Sequence, residues 1–229
     1  MGSPICIGHR GAKGHRPENT WPSFEYAIEL GCDWVELDVY LAGSELIVIH
    51  DKKVDRTTNG TGEVAQLSFE QLRSLDAGNG AQIPTLNEII DLVDHRCGIN
   101  IELKGQNTAE ATCDLLSDYC TRGWTPGDFL ISSFDHAELS LADPTFLRGA
   151  LFGKLLPDQW QRAANLEAWS VNFDLKDVTQ GLVDEAHEKG YRLLVYTVNN
   201  PADIQKMMAW EVDGLFSDYP DRVLAARSD

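Results

Sequence analysis

Short apolar, β-branched runs alternate with amphipathic helical stretches along almost the whole chain, the pattern of a parallel sheet covered by helices. The runs predict strands at 5–8, 34–40, 46–49, 99–103, 129–133, 150–153, 170–173, 193–198 and 214–217. Between them, helical spacing of apolar positions predicts helices that include 22–30, 109–121, 182–189 and 202–210. Gly31 and Gly190 stand where two of these helices end, as glycine caps. Thr85 with Glu88, and Ser68 with Gln71, have the spacing of capping boxes that start helices. The nine runs are one too many for an eight-stranded barrel. The short link after 34–40 resolves the excess, because a parallel crossover needs roughly a dozen residues and only about five intervene. A turn around Ala42-Gly43-Ser44 therefore makes 46–49 an antiparallel return, and the other eight runs form an α/β barrel. A turn centred on Gly43 sets Glu36 opposite His50 and Asp38 opposite Val48, which brings His50 beside the acids. Residues 52–84 carry Asn59-Gly60, Gly62 and Gly78-Asn79-Gly80, turn signals around one short helix. We expect a small insertion after the second strand, on the active-site side of one domain spanning 1–229.

Four runs end in paired charged or histidine side chains: His9-Arg10, Glu36-x-Asp38, His50-Asp51 and Glu102-x-Lys104. Barrel enzymes build their sites from C-terminal strand ends. Glu36 and Asp38 are two apart on a strand, so both carboxylates point to one side. Burying both needs compensation, and a hard divalent cation such as Mg²⁺ or Ca²⁺ supplies it through carboxylate oxygens. The alternative, that they face outward in salt bridges, meets a helix layer that is itself apolar. Glu102 repeats the alternation as a third metal ligand, with Lys104 placed for a phosphate oxygen. Arg10 offers a planar donor fork to phosphate. His9 and His50 each close an apolar strand and suit proton transfer near neutrality. Gly8 and Gly11 let the backbone turn sharply around His9 and Arg10. Pro17-Glu18-Asn19-Thr20 precedes a helix, with Asn19 or Thr20 as its N-cap and Glu18 within reach of the site. His15, His95, His136 and His187 are expected to be surface residues. The set suits metal-assisted phosphodiester hydrolysis. Neither a Gly-x-Ser-x-Gly elbow nor a phosphate-binding Gly-Lys-Ser/Thr loop occurs.

Acids outnumber bases 36 to 19, for a formal charge of −17. Wrapping nucleic acid or docking on anionic lipid uses basic patches, so neither is expected. An anionic substrate then needs a locally positive site. No apolar run reaches the length of a membrane span, so no stable membrane anchor is expected. With His9 so near the start, no signal peptide is expected ahead of it. The five cysteines (Cys6, Cys32, Cys97, Cys113, Cys120) show no metal spacing and are expected as reduced thiols of a cytoplasmic protein.

Taken together, these segments resemble the glycerophosphodiester phosphodiesterase family, in its short, soluble bacterial form. The matching residues are Gly8-His9-Arg10-Gly11, Pro17-Glu18-Asn19-Thr20, Glu36-Leu37-Asp38-Val39, Val48-Ile49-His50-Asp51 and Ile101-Glu102-Leu103-Lys104. Further along they are Ile131-Ser132-Ser133-Phe134, Tyr196-Thr197-Val198-Asn199 and Asp213-Gly214-Leu215-Phe216-Ser217-Asp218-Tyr219-Pro220. The resemblance implies a TIM-type (β/α)8 barrel with His9 and His50 as the acid–base pair. It also implies a Mg²⁺ or Ca²⁺ site of Glu36, Asp38 and Glu102, with Arg10 and Lys104 on the phosphate. The implied reaction hydrolyses a small-molecule glycerophosphodiester to sn-glycerol 3-phosphate and an alcohol. The chain departs from the family at 41–45, where a threonine- and aspartate-bearing turn is frequent, and at Tyr196, where tryptophan is common. Two rivals are lysophospholipase D-like chemistry on lipids, which needs an apolar rim, and a non-catalytic phosphate-binding barrel, which should have lost a histidine or a ligand acid, whereas this chain keeps all of them.

Overall fold

The computed structural model describes residues 3–228. Among the described residues nine strands form one sheet: β1 (Ile5–His9), β2 (Trp34–Ala42), β3 (Glu45–Val48), β4 (Gly98–Leu103), β5 (Phe129–Ser133), β6 (Leu147–Phe152), β7 (Ser170–Asp174), β8 (Arg192–Tyr196) and β9 (Gly214–Ser217). Their order is β1-β9-β8-β7-β6-β5-β4-β2-β3, and β1 also pairs with β2, which closes eight parallel strands into a barrel. The ninth, β3, hangs antiparallel from β2, so the expected hairpin and TIM-type (β/α)8 barrel are both present. Helices such as Trp21–Leu30, Thr108–Thr121, Gln180–Glu188 and Pro201–Ala209 cover the outside. Gly31 caps the first in the left-handed region at φ 90°, and Gly190 follows the third at φ 82°. The Ser68 and Thr85 capping boxes both form.

Alternation along β2 decides what faces the barrel interior. Val35, Leu37 and Val39 pack into the large core between sheet and helices, each side chain worth roughly 1.5–3 kcal/mol buried. Glu36 and Asp38, between them, point inward. Parallel register then sets His9 opposite Glu36 on β1, and Asp38 opposite Glu102 on β4. The expected hairpin register is one residue off. Ala42 pairs with Glu45 and Val39 with Val48, because the turn holds two residues, Gly43 (φ 65°) and Ser44, rather than centring on Gly43. Asp38 thus sits opposite Ile49, whose N–H donates to its carbonyl at 3.0 Å. The ladder ends there, and the chain bends to carry His50 into the barrel mouth.

Residues 52–84 make two short 3₁₀ turns and the helix Phe69–Arg73. Val54, Val64, Leu72 and Ile83 form a separate apolar cluster against Ile47 and Ile49 of the hairpin. All five cysteines are free. Among the described residues no helix is long and apolar enough to cross a membrane.

Candidate active site

The C-terminal ends of β1, β2 and β4, with the segment after β3, surround a cavity of about 160 Å³. His9, Arg10, Glu36, His50, Glu102 and Lys104 line it. Glu36, Asp38 and Glu102 each offer an oxygen, and these atoms lie within 4.8 Å of one another. The structure therefore brings all seven residues singled out above to one place.

Their electrostatics are those of a cation site. Glu36 is 2 % and Asp38 0 % exposed, and Glu102 is 12 % exposed. Burial, then the neighbouring charges of Asp38 and Glu102, pushes the Glu36 carboxyl well above the usual range. Burial and Asp38 push Glu102 up to about 7. Arg10 Nε lies 3.4 Å from Asp38 Oδ2, and Lys104 Nζ lies 2.7 Å from Glu102 and 3.5 Å from Asp38 Oδ1. Two cations do not balance three carboxylates, and Asp38 Oδ1 is buried with no hydrogen-bond partner. Clustered carboxylate oxygens with a spare buried acceptor fit a hard divalent ion. Burial opposes charge on Arg10 and Lys104, yet the surrounding carboxylates outweigh it and raise both.

Both histidines are held through Nδ1. His9 Nδ1 lies 2.6 Å from Asp218 Oδ1, and Asn199 Nδ2 donates to Asp218 Oδ2 at 2.8 Å. His50 Nδ1 lies 2.6 Å from Asp51 Oδ1, and Asp51 Oδ2 accepts from Arg56 Nε at 2.6 Å. Each aspartate orients its ring and leaves Nε2 facing the cavity side; His9 Nε2 is 3.9 Å from Glu36. Burial is the largest influence on both histidines and holds them below the ordinary value, although Asp218 pulls His9 upward and Asp38 and Asp51 pull His50 upward.

The backbone around Arg10 is shaped for this. Arg10 takes φ 52° and its N–H donates to Glu36 Oε2 at 2.8 Å. Gly11 follows at φ 80°, where a Cβ would fall 2.5 Å from the Ser23 carbonyl carbon, so only glycine fits. Asn19 is not a helix cap. It is buried at the site, donating through Nδ2 to Asp38 Oδ2 at 2.8 Å, and Thr20 takes the cap position without a side-chain cap bond. Glu18 accepts from Arg10 at 2.7 Å and from Arg56 at 2.7 and 2.8 Å. Burial opposes its ionisation, but Arg56 and Arg10 outweigh this and lower it to about 2. Arg56 of the insertion thereby ties Glu18 and Asp51 together.

Asp218, Asn199 and Arg56 had no role assigned from sequence, and Asn19 had only that of a candidate helix cap. Asp218 follows the last residue of β9, so the strand-end signal that marked the others was available for it. His15, His95 and His187 lie at the surface, on Asp221, Trp124 and Asp213. His136 differs from expectation: it is half-buried, bonded to the Leu151 carbonyl at 3.0 Å and edge-on to Phe152.

Comparison with known proteins agrees with this geometry. Residues 9–222 match the Glycerophosphoryl diester phosphodiesterase family. The chain is 34% identical over 239 residues to a glycerophosphodiester phosphodiesterase of Caldanaerobacter subterraneus subsp. tengcongensis, covering 96% of each chain. It is 32% identical to one from Bacillus altitudinis, covering 97% and 98%. Among solved structures, an Oleispira antarctica phosphodiesterase in complex with the product sn-glycerol-3-phosphate superimposes with a TM-score of 0.92 at 28% identity, over 99% of this chain and 98% of that one. The glycerophosphodiester phosphodiesterase of Agrobacterium tumefaciens superimposes with a TM-score of 0.83 at 28% identity, over the whole of both chains. With a barrel of this kind and a family match over nearly its full length, the chain belongs to the glycerophosphoryl diester phosphodiesterase family of enzymes.

Proposed function

We propose that this chain hydrolyses small-molecule glycerophosphodiesters to sn-glycerol 3-phosphate and an alcohol, with Glu36, Asp38 and Glu102 holding a Mg²⁺ or Ca²⁺ ion and His9 and His50 exchanging protons. The observation that carries it is the pair of aspartate-bound histidines facing one cavity with the acid triad. Held there, the ion would supply Lewis-acid charge to the phosphoryl oxygens. Arg10 and Lys104 add fixed positive charge on the same cavity wall, which a diester anion needs in a chain of net charge −17. Burial favours the neutral imidazole, the form in which one of the two takes a proton from an attacking oxygen. The other histidine, entering the step as an imidazolium supported by its aspartate, gives its Nε2 proton to the departing alkoxide, and each transfer is worth about 10²–10⁴-fold in rate. The product named in the Oleispira structure supports the choice of glycerol 3-phosphate.

Release of glycerol 3-phosphate from glycerophosphocholine, compared in EDTA, Mg²⁺ and Ca²⁺, tests the proposal. Cation-dependent release is expected. Turnover of lysolipid with no release from the soluble diester would move the substrate to lipids, and no turnover of either would remove the catalytic assignment.

A further inference from the structure

Two side chains in the cavity have unmet hydrogen-bonding capacity that the proposed chemistry does not use. Asn100 lies on β4 two residues before Glu102 and opposite Glu36. Ser132 lies on β5 opposite Glu102. They are 1 % and 0 % exposed, yet both line the cavity. Asn100 Oδ1 and Ser132 Oγ have no hydrogen-bond partner. A buried polar atom left unpaired is costly unless a ligand or water satisfies it. Gly149 pairs with Ser132, and a Cβ there would lie 3.2 Å from Ser132 Cβ, so glycine keeps space beside the serine.

The unpaired atoms are neutral, and that narrows what they take. Asn100 Oδ1 accepts only, so it takes a hydrogen-bond donor or a cation, and the cation already has Glu36, Asp38 and Glu102. A phosphodiester anion has no donor, and a quaternary ammonium has none either. A primary ammonium would be drawn to the three carboxylates alongside rather than to a neutral amide. Hydroxyl groups both donate and accept, which matches an amide oxygen beside a serine hydroxyl. We infer that Asn100 and Ser132 form a hydroxyl-reading floor that binds the glycerol hydroxyls and so determines which phosphodiesters are recognised. The inference rests on the proposed function above and adds the residues that read the glycerol half. Sites built to bond a substrate hydroxyl discriminate strongly against analogues that lack it, because their own polar groups are then left unpaired.

Binding of sn-glycerol 3-phosphate and n-propyl phosphate, measured by calorimetry with Mg²⁺ present, isolates the two hydroxyls without requiring turnover. Wild type is expected to prefer glycerol 3-phosphate by roughly tenfold or more. Ser132→Ala and Asn100→Leu, each checked for a cooperative thermal melt, should bring that ratio towards one through weaker glycerol 3-phosphate binding, with propyl phosphate affinity little changed. A preference retained in both variants overturns the inference, since the floor would then hold only water. Equal binding of the two phosphates by wild type overturns it while leaving the phosphodiesterase proposal standing. Binding of neither overturns both.

Discussion

His9 and Asp218, 209 positions apart in the chain, meet at 2.6 Å through Nδ1 and Oδ1. Asn199 holds the other carboxylate oxygen at 2.8 Å, so the imidazole is fixed by a carboxylate that is itself fixed. His50 repeats the arrangement with Asp51, anchored by Arg56. A carboxylate on Nδ1 sets tautomer and ring direction and supports the imidazolium when it forms.

Asp218→Asn keeps the shape and removes the charge. It is expected to lower kcat by about 10²–10⁴-fold, the range for a misdirected proton-transfer group. Asp218 opposes the downward effect of burial on His9, so without its charge the His9 limb of the pH–rate profile should move to lower pH. A kcat/KM profile from pH 5 to 9 for both proteins checks the sign.

His9→Ala and His50→Ala should each reduce turnover by at least about 10²-fold while circular dichroism and thermal melting stay near wild type. Neither ring belongs to the apolar core, so loss of activity without loss of fold is the expected outcome. An active double variant would remove both from the mechanism.

Glu36→Gln separates stability from function. Three crowded carboxylates repel in the absence of a counter-ion, and burial with the charges of Asp38 and Glu102 pushes Glu36 well away from ionisation. In EDTA the variant should melt a few degrees higher than wild type, at roughly 2–4 °C per kcal/mol for a chain of this size. Added Mg²⁺ or Ca²⁺ should raise the wild-type melting temperature through binding to the folded state and raise the variant's little. Differential scanning fluorimetry with an ion titration measures both.

Glu18 predicts an acid limit to stability. Its carboxyl is lowered in the folded chain to about 2 from the ordinary 4.5, so its contribution is present above the unfolded value and is lost as pH falls towards about 2. Glu18→Gln should cost about 1–3 kcal/mol at pH 7, the worth of hydrogen bonds to charged partners. The gap between the two proteins should narrow as pH falls below about 4.5. Urea unfolding across that range tests it.

Element type and order were legible from the chain alone, because the inward–outward alternation of β2 and the helical spacing of 109–121 are local signals. The short link at 41–45 was enough to identify an antiparallel return. Its exact register was not, since that depends on whether the turn holds two residues or is centred on one, a matter of a few backbone angles at Gly43 and Ser44. The seven candidate residues could be picked out because they lie on or just past strands, where alternation shows which face a side chain takes, and a barrel gathers such faces into one interior; Glu36 and Asp38 lie within β2 rather than at its end. Asn19 and Thr20 were equally well placed to cap the helix, and only the fold separates them: Thr20 takes the cap position and Asn19 reaches Asp38.

The sequence by itself determined the barrel, its extra hairpin, the strand-end acids and histidines, and through whole-chain similarity the family. Periodicity and residue type encode these, and both act over a few positions. The tertiary structure alone decided which aspartate holds His9, that Asn19 reaches Asp38, that Arg56 links Glu18 to Asp51, and that Asn100 and Ser132 remain unpaired beneath the acids. Apart from Arg56 with Asp51, those pairings join residues well separated in the chain, and their partners follow from barrel closure and strand register, which no local pattern specifies.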